Sequence, residues 1–123
     1  MTTARLIDEA NRLAFLGLYL DSWEVLESLP PADQLDSAAM AVRLKACTEL
    51  GCWELGQDVA RGMVPCDTPC QRQAVGRFHL AHAIALCHSG EVAAARAAIL
   101  ALTRVWPEGR AEALDCSLLA VVW

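Results

Sequence analysis

Apolar residues recur at three- and four-residue intervals along most of the chain, and the runs are broken at Gly and Pro. Leu6, Ala10, Leu13, Gly17 and Leu20 form one stripe, widened by Ile7 and Ala14, which predicts a first helix over about 3–20. Asp21-Ser22-Trp23-Glu24 has the form of a capping box, so a short second helix is expected to start there and to stop at Pro30-Pro31. Asp36 or Ser37 can cap a third helix running to about Leu50, with Gly51 just past its end. Trp53 opens a fourth helix, ended by Pro65. Thr68-Pro69-Cys70-Gln71 joins a capping box to a Pro at the first helical position, which predicts a fifth helix over about 69–88. Ser89-Gly90 breaks it, an alanine-rich sixth helix follows over 91–105, and Pro107 starts a seventh. No stretch rich in β-branched residues alternates with period two, so the fold class is all-α.

The segments group into three hairpins, about 3–30, 37–64 and 69–105, plus a terminal helix over 107–122, within one domain of 123 residues. Leu20-Asp21-Ser22-Trp23-Glu24 and Leu50-Gly51-Cys52-Trp53-Glu54 share Leu-x-x-Trp-Glu, and His88-Ser89-Gly90-Glu91-Val92 carries a weaker version at the third turn. An aromatic or branched residue opening each second helix can plug the wedge between its two helices. The third hairpin reads His79-x2-His82-Ala83-x2-Leu86, Gly90, Ala95-x3-Ile99 and Pro107. The second reads Met40-x2-Arg43-Leu44-x2-Cys47, Gly51 and Gly56-x3-Ala60, and the first helix offers Ala10-x2-Leu13-Ala14-x2-Gly17.

In this spacing the chain resembles the tetratricopeptide repeat superfamily, whose pattern is Trp-x2-Leu-Gly-x2-Tyr, then Ala-x3-Phe, then Pro. The spacing is kept and the identities are partly lost. The resemblance implies a right-handed solenoid of antiparallel hairpins whose first helices line a concave groove for a partner segment. Carried across, it gives as groove residues Asn11, Arg12, Phe15 and Tyr19 in the first hairpin, Val42, Lys45 and Glu49 in the second, and Arg77, Leu80, Ile84 and His88 in the third. The implied function is that of a protein-interaction module, an adaptor or small chaperone-like scaffold. The family's Lys and Asn clamp for C-terminal carboxylates is not matched.

Composition narrows the partners. The net charge is −5, and the ten basic residues, nine Arg and Lys45, are scattered, which argues against nucleic acid. The first residues lack the basic start and apolar run of a signal peptide, and no stretch reaches the roughly 18 apolar residues of a membrane span, so a cytoplasmic location without membrane contact is expected. Apolar residues make up 55% of the chain and charged ones only 20%, a surplus that points to an interface. The end of the chain, Leu118-Leu119-Ala120-Val121-Val122-Trp123, is the opposite of the polar cap that a repeat array needs. Leu118, Leu119, Val122 and Trp123 are therefore the candidate self-association surface, through which a homodimer would form.

Cys66 and Cys70 precede His79 and His82 at spacings that resemble a zinc site. The capping box argues otherwise: with Thr68 as cap, Cys70 and His79 lie on one helix, nine residues or roughly 13 Å apart, beyond the reach of one metal. No metal or cofactor is expected. His79 and His82 fall on helix-packing positions of the resemblance, with metal ligation as the weaker alternative. Cys70 lies at a helix amino end, where amides and dipole favour thiolate, and Cys66 is near enough for a disulfide. A thiol- or metal-responsive regulator centred on Cys66, Cys70, His79 and His82 is thus the second functional reading. Cys47, Cys87 and Cys116 fall on apolar faces, and no phosphate loop, metalloprotease motif or nucleophile elbow is present, so no enzyme activity is expected.

Overall fold

The computed structural model describes residues 2–63 and 68–122, the side chains of Leu118 and Val121 excepted. The described residues are all-α. Seven α-helices occur in the order α1 (Thr3–Phe15), α2 (Tyr19–Glu27), α3 (Ser37–Leu50), α4 (Trp53–Gly62), α5 (Pro69–His88), α6 (Val92–Val105) and α7 (Arg110–Asp115). Three 3-10 turns, Asp33–Leu35, Pro107–Gly109 and Ser117–Val122, complete them. The chain divides into two compact units, Met1–Pro65 and Cys66–Trp123.

In the first unit α1 packs on α2 and α3, α2 on α3, and α3 on α4. Its core gathers Ala10, Ala14, Leu26, Leu29, Ala39 and Val42, with Leu6, Ile7, Tyr19 and Val25 against them. In the second unit α5 packs on α6, and both contact the 117–122 turn. Ala83, Ala95, Ala98, Ile99, Ala113, Leu119 and Val122 form that core.

The three helical pairs turn in the same way. Gly17, Gly51 and Gly90 have φ of +81°, +72° and +77°, the left-handed conformation that an L side chain resists. After each glycine the next amide reaches back to a carbonyl of the preceding helix. Leu18 N donates to Leu13 O, Cys52 N to Cys47 O and Glu91 N to Leu86 O, each at 2.9 Å. This is the long bond of a Schellman turn, and it satisfies one carbonyl that the helix end leaves open. The second helix of each pair then starts two residues after its glycine, at Tyr19, Trp53 and Val92.

Two sequence expectations are corrected here. The first helix ends at Phe15 instead of Leu20, because Gly17 is the turn and not a member of the stripe. Asp21 and Glu24 consequently lie inside α2, whose cap position is Leu18 with no side-chain cap bond. The expected terminal helix over 107–122 is also divided. Cys116 adopts an extended ψ of 111° between α7 and the last 3-10 turn, and this break lets Leu119 and Val122 fold back into the core.

Candidate functional site

Counted back from each turn glycine, the first helices present matching positions. Two residues before the glycine stand Phe15, Glu49 and His88, all exposed. Six residues before it stand Asn11 and Lys45, both exposed, and Ile84, half-buried. In the first unit Asn11 and Phe15 are exposed one turn apart on α1, and Lys45 and Glu49 one turn apart on α3. Thr3 Oγ1 donates to Asp33 Oδ2 at 2.8 Å, which ties the start of α1 to the segment that leads into α3. The two helices, 13 and 14 residues long, therefore start near one another, and they pack together. Asn11, Phe15, Lys45 and Glu49 are a mixed polar and apolar set, the candidate strip on the exposed sides of these two helices.

Other residues expected in a groove stand elsewhere. Val42 is buried in the core of its unit, so a bound segment does not reach it. Tyr19 belongs to the first turn of α2 and packs on that core. Arg12 is exposed but committed to Glu9, with Nη2 to Oε1 at 2.6 Å and Nε to Oε2 at 3.1 Å. In the second unit Leu80 and Ile84 are half-buried against a core that Leu119 and Val122 help to make. Arg77 is exposed, with Nη2 3.5 Å from Glu112 and its guanidinium carbon 5.6 Å from the Trp106 ring.

The expected self-association surface is corrected at two positions. Leu119 is fully buried and Val122 nearly so, within their own unit. Arg96 Nε donates to Val122 O at 3.3 Å, which holds the last turn against α6. The Leu118 side chain and Trp123 lie outside the described residues.

Around α5 the capping box is present as the sequence predicts. Gln71 N donates to Thr68 Oγ1 at 3.2 Å, and Thr68 N to Gln71 Oε1 at 3.3 Å. Cys70, His79 and His82 then lie on one continuous helix of 20 residues, and the spacing argument against a shared metal applies to it. Cys70 is exposed in its first turn, and Cys66 lies outside the described residues. Among the described residues no three His, Cys, Asp or Glu side chains are grouped to hold a metal ion.

His79 and His82 flank the buried Phe78, with ring centroids 5.6 and 5.9 Å from it. Burial lowers the pKa of both; the neighbouring His82 lowers His79 further, and Glu91 partly offsets the effect at His82. At Cys47 burial, with Cys52 adding to it and Arg43 opposing it, pushes the thiol up to about 11. Cys47 is a core thiol rather than a reactive one.

One polar cluster goes unnoticed in the sequence. Arg43 of α3 is almost fully buried, and its guanidinium carbon stands 4.4 Å from the Trp23 ring centroid. Nη1 donates to Glu27 Oε1 and Nη2 to Gln34 Oε1, both at 3.2 Å. Gln34 Nε2 in turn donates to Leu29 O at 2.9 Å. Cation–π contact and charge-assisted bonds thus pin α2, α3 and the segment between them. A lone Arg on the otherwise apolar face of α3 is the signal for it. No described helix is long and apolar enough to cross a membrane. Compared with protein-family models, curated proteins and solved structures, the chain finds no significant match.

Proposed function

We propose that the chain is a protein-interaction module built of tetratricopeptide-like hairpins, which binds a segment of a partner protein along the exposed face of its first helices. One observation carries this reading: three turns of the same geometry set three helical pairs in one register. In that register Ala10, Leu44 and Ala83, seven residues before the glycine, are buried, and so are Ser22, Gly56 and Ala95, five residues after it. These correspond to the helix-crossing positions of the family pattern, and all but Leu44 are small, which lets two helices approach. The first hairpin then reads Leu6-x2-Glu9-Ala10-x2-Leu13, Gly17 and Ser22-x3-Leu26, four residues from the frame expected in the sequence.

The strip on α1 and α3 has the chemistry of a segment-binding surface. Phe15 supplies an apolar anchor, the Asn11 amide can both donate to and accept from a partner main chain, and Lys45 and Glu49 select flanking charges. The module acts by binding, in the manner of an adaptor or small scaffold.

A random peptide library selected against the protein tests this. Enriched peptides should bind the variant carrying Asn11→Asp and Lys45→Glu at least about tenfold more weakly, a loss of about 1.4 kcal/mol. Arg104→Glu, an exposed change on α6, should leave them unaffected. Enriched peptides indifferent to the first variant, or a library that yields none, would refute the reading.

A further inference from the structure

Both turns of the first unit carry exposed apolar side chains that the hairpin itself does not use. At the α1–α2 turn Leu16, Leu18 and Leu20 are exposed, next to Phe15, which is 82% exposed. At the α3–α4 turn Leu50 and Leu55 are 44% and 46% exposed. Because α1 and α3 start near one another, pack together and are of nearly equal length, each turn closes its pair at the end away from that common start. The turn of the second unit shows that this is not a requirement of the geometry. The same Schellman bond is made there by a segment whose exposed residues are His88, Ser89, Gly90 and Glu91.

The charged residues that flank the two turns are acidic, with Arg12 and Lys45 one helical turn further back on α1 and α3. Asp21 and Glu24 follow the first turn, Glu49 and Glu54 bracket the second, and all four are exposed. No Lys or Arg occurs in 13–42 or in 46–60, and the ion pairs among the described residues of the unit use Glu9, Glu27 and Asp58 instead of these four. The result is an apolar end surrounded by carboxylates.

That combination selects among occupants. A second copy would bring four more carboxylates against the first four, and like charges at close range oppose the contact. An anionic membrane surface is disfavoured for the same reason. A segment with one apolar face and flanking Lys or Arg satisfies both components at once. We infer that the turn end of the first unit is a docking surface for a cationic amphipathic helix of a partner protein. It is distinct from the first-helix strip, with which it shares only Phe15 and Glu49 at the border, and it does not depend on the resemblance to a repeat family.

The probe is a fluorescent amphipathic helical peptide of Leu and Lys, compared with its Leu and Glu counterpart and with a Leu and Lys peptide of scrambled order. Fluorescence anisotropy with the full chain should show binding of the first alone, weakening as salt is raised. Leu16→Ser with Leu20→Ser should weaken it at least about tenfold, as should Asp21→Asn with Glu24→Gln and Glu54→Gln. Leu100→Ser with Leu114→Ser, exposed leucines of the second unit, should change it less than about twofold. Circular dichroism checks that each variant keeps its helices. The inference is overturned if the scrambled or acidic peptide binds as well, if turn and control variants bind alike, or if no peptide binds. It is equally overturned if light scattering finds a dimer that the turn variants dissociate, or if neutral phosphatidylcholine vesicles capture the protein through the same leucines.

Discussion

Replacing Gly76 by Ala puts two general rules in direct conflict. In the middle of a helix Ala is favoured over Gly by about 1 kcal/mol, and an added buried methyl contributes about 0.8 kcal/mol more if there is room for it. In α5 there is none. A Cβ on Gly76 would stand 2.5 Å from Cε3, 2.7 Å from Cβ and 3.0 Å from Cδ2 of Trp106, where carbon atoms ordinarily approach to 3.5–4.0 Å. The indole has little room to swing clear, because the same ring edge also lies against Gly109. Trp106 is fixed besides by its amide, which donates to Leu102 O at 2.7 Å. Overpacking typically costs about 1–3 kcal/mol, and three simultaneous contacts, one with a side-chain root, place this site at the upper end. Gly76→Ala should therefore destabilise the second unit by about 1–2 kcal/mol net, seen as a lower midpoint in urea unfolding with an unchanged slope. In a Trp106→Leu background the same substitution should become neutral or stabilising. Gly62→Ala is the internal control. There the new Cβ meets only the mobile Cε of Met40, so the change should stay within about 0.5 kcal/mol of neutral. A Gly76→Ala protein more stable than the parent, or a cost that persists without Trp106, would refute the reasoning.

Further outcomes follow from the polar groups. Arg43→Met removes a cation–π contact and two charge-assisted bonds, and should lower stability by about 1–2 kcal/mol in urea melts, with Arg43→Lys recovering less than half because it lacks the planar fork. His79 and His82 are depressed by burial, so their contribution is fully present above about pH 6.5 and is lost as pH falls through their lowered values; His79→Gln should flatten this acid limb of a stability–pH profile. The Cys47 thiol is raised from 9.0 to about 11, so stability should hold below pH 9 and drop by about 2–3 kcal/mol as pH passes 11, an alkaline slope absent from Cys47→Ala. Timed alkylation with mass readout should label the exposed Cys52 and Cys70 well before Cys47, and equal labelling would contradict the burial of Cys47.

What the sequence discloses differs from one end of each hairpin to the other. Starts and stops marked by chemistry are legible: Asp36 caps α3 through Ala38 N at 2.9 Å, Gly51 ends it, and Thr68-Pro69 opens α5. The α1–α2 turn is hidden because Phe15-Leu16-Gly17-Leu18-Tyr19-Leu20 keeps an apolar, helix-compatible pattern through the turn. A small residue on a stripe and a left-handed turn glycine look the same in one dimension. The slip then propagates. With Ala10 and Ala14 four residues apart, the repeat frame fits either one, and only the position of Gly17 decides between them. Without that turn Tyr19 falls on the first helix and Trp23 aligns with Trp53, whereas in the structure Tyr19 is the residue that matches Trp53 at the start of a second helix.

The C-terminal segment is hidden for another reason. Its apolar run has the pattern of an exposed end, yet the extended Cys116 turns Leu119 and Val122 inward. A break of this kind depends on backbone angles that Asp115-Cys116-Ser117 does not announce. Within each helix of the candidate strip the pairing is legible, since a spacing of four puts Asn11 with Phe15 and Lys45 with Glu49 on one face. Separating them from Val42 required knowing which face of α3 the first hairpin covers.

The most direct test of the interaction reading is to map a library-selected peptide onto the folded chain by backbone amide chemical shifts. The account predicts that the largest changes fall along the exposed face of α1 and α3, around Asn11, Phe15, Lys45 and Glu49, with α4 and α6 unaffected. Changes centred on Cys70 and the start of α5, or spread evenly over the chain, would contradict it.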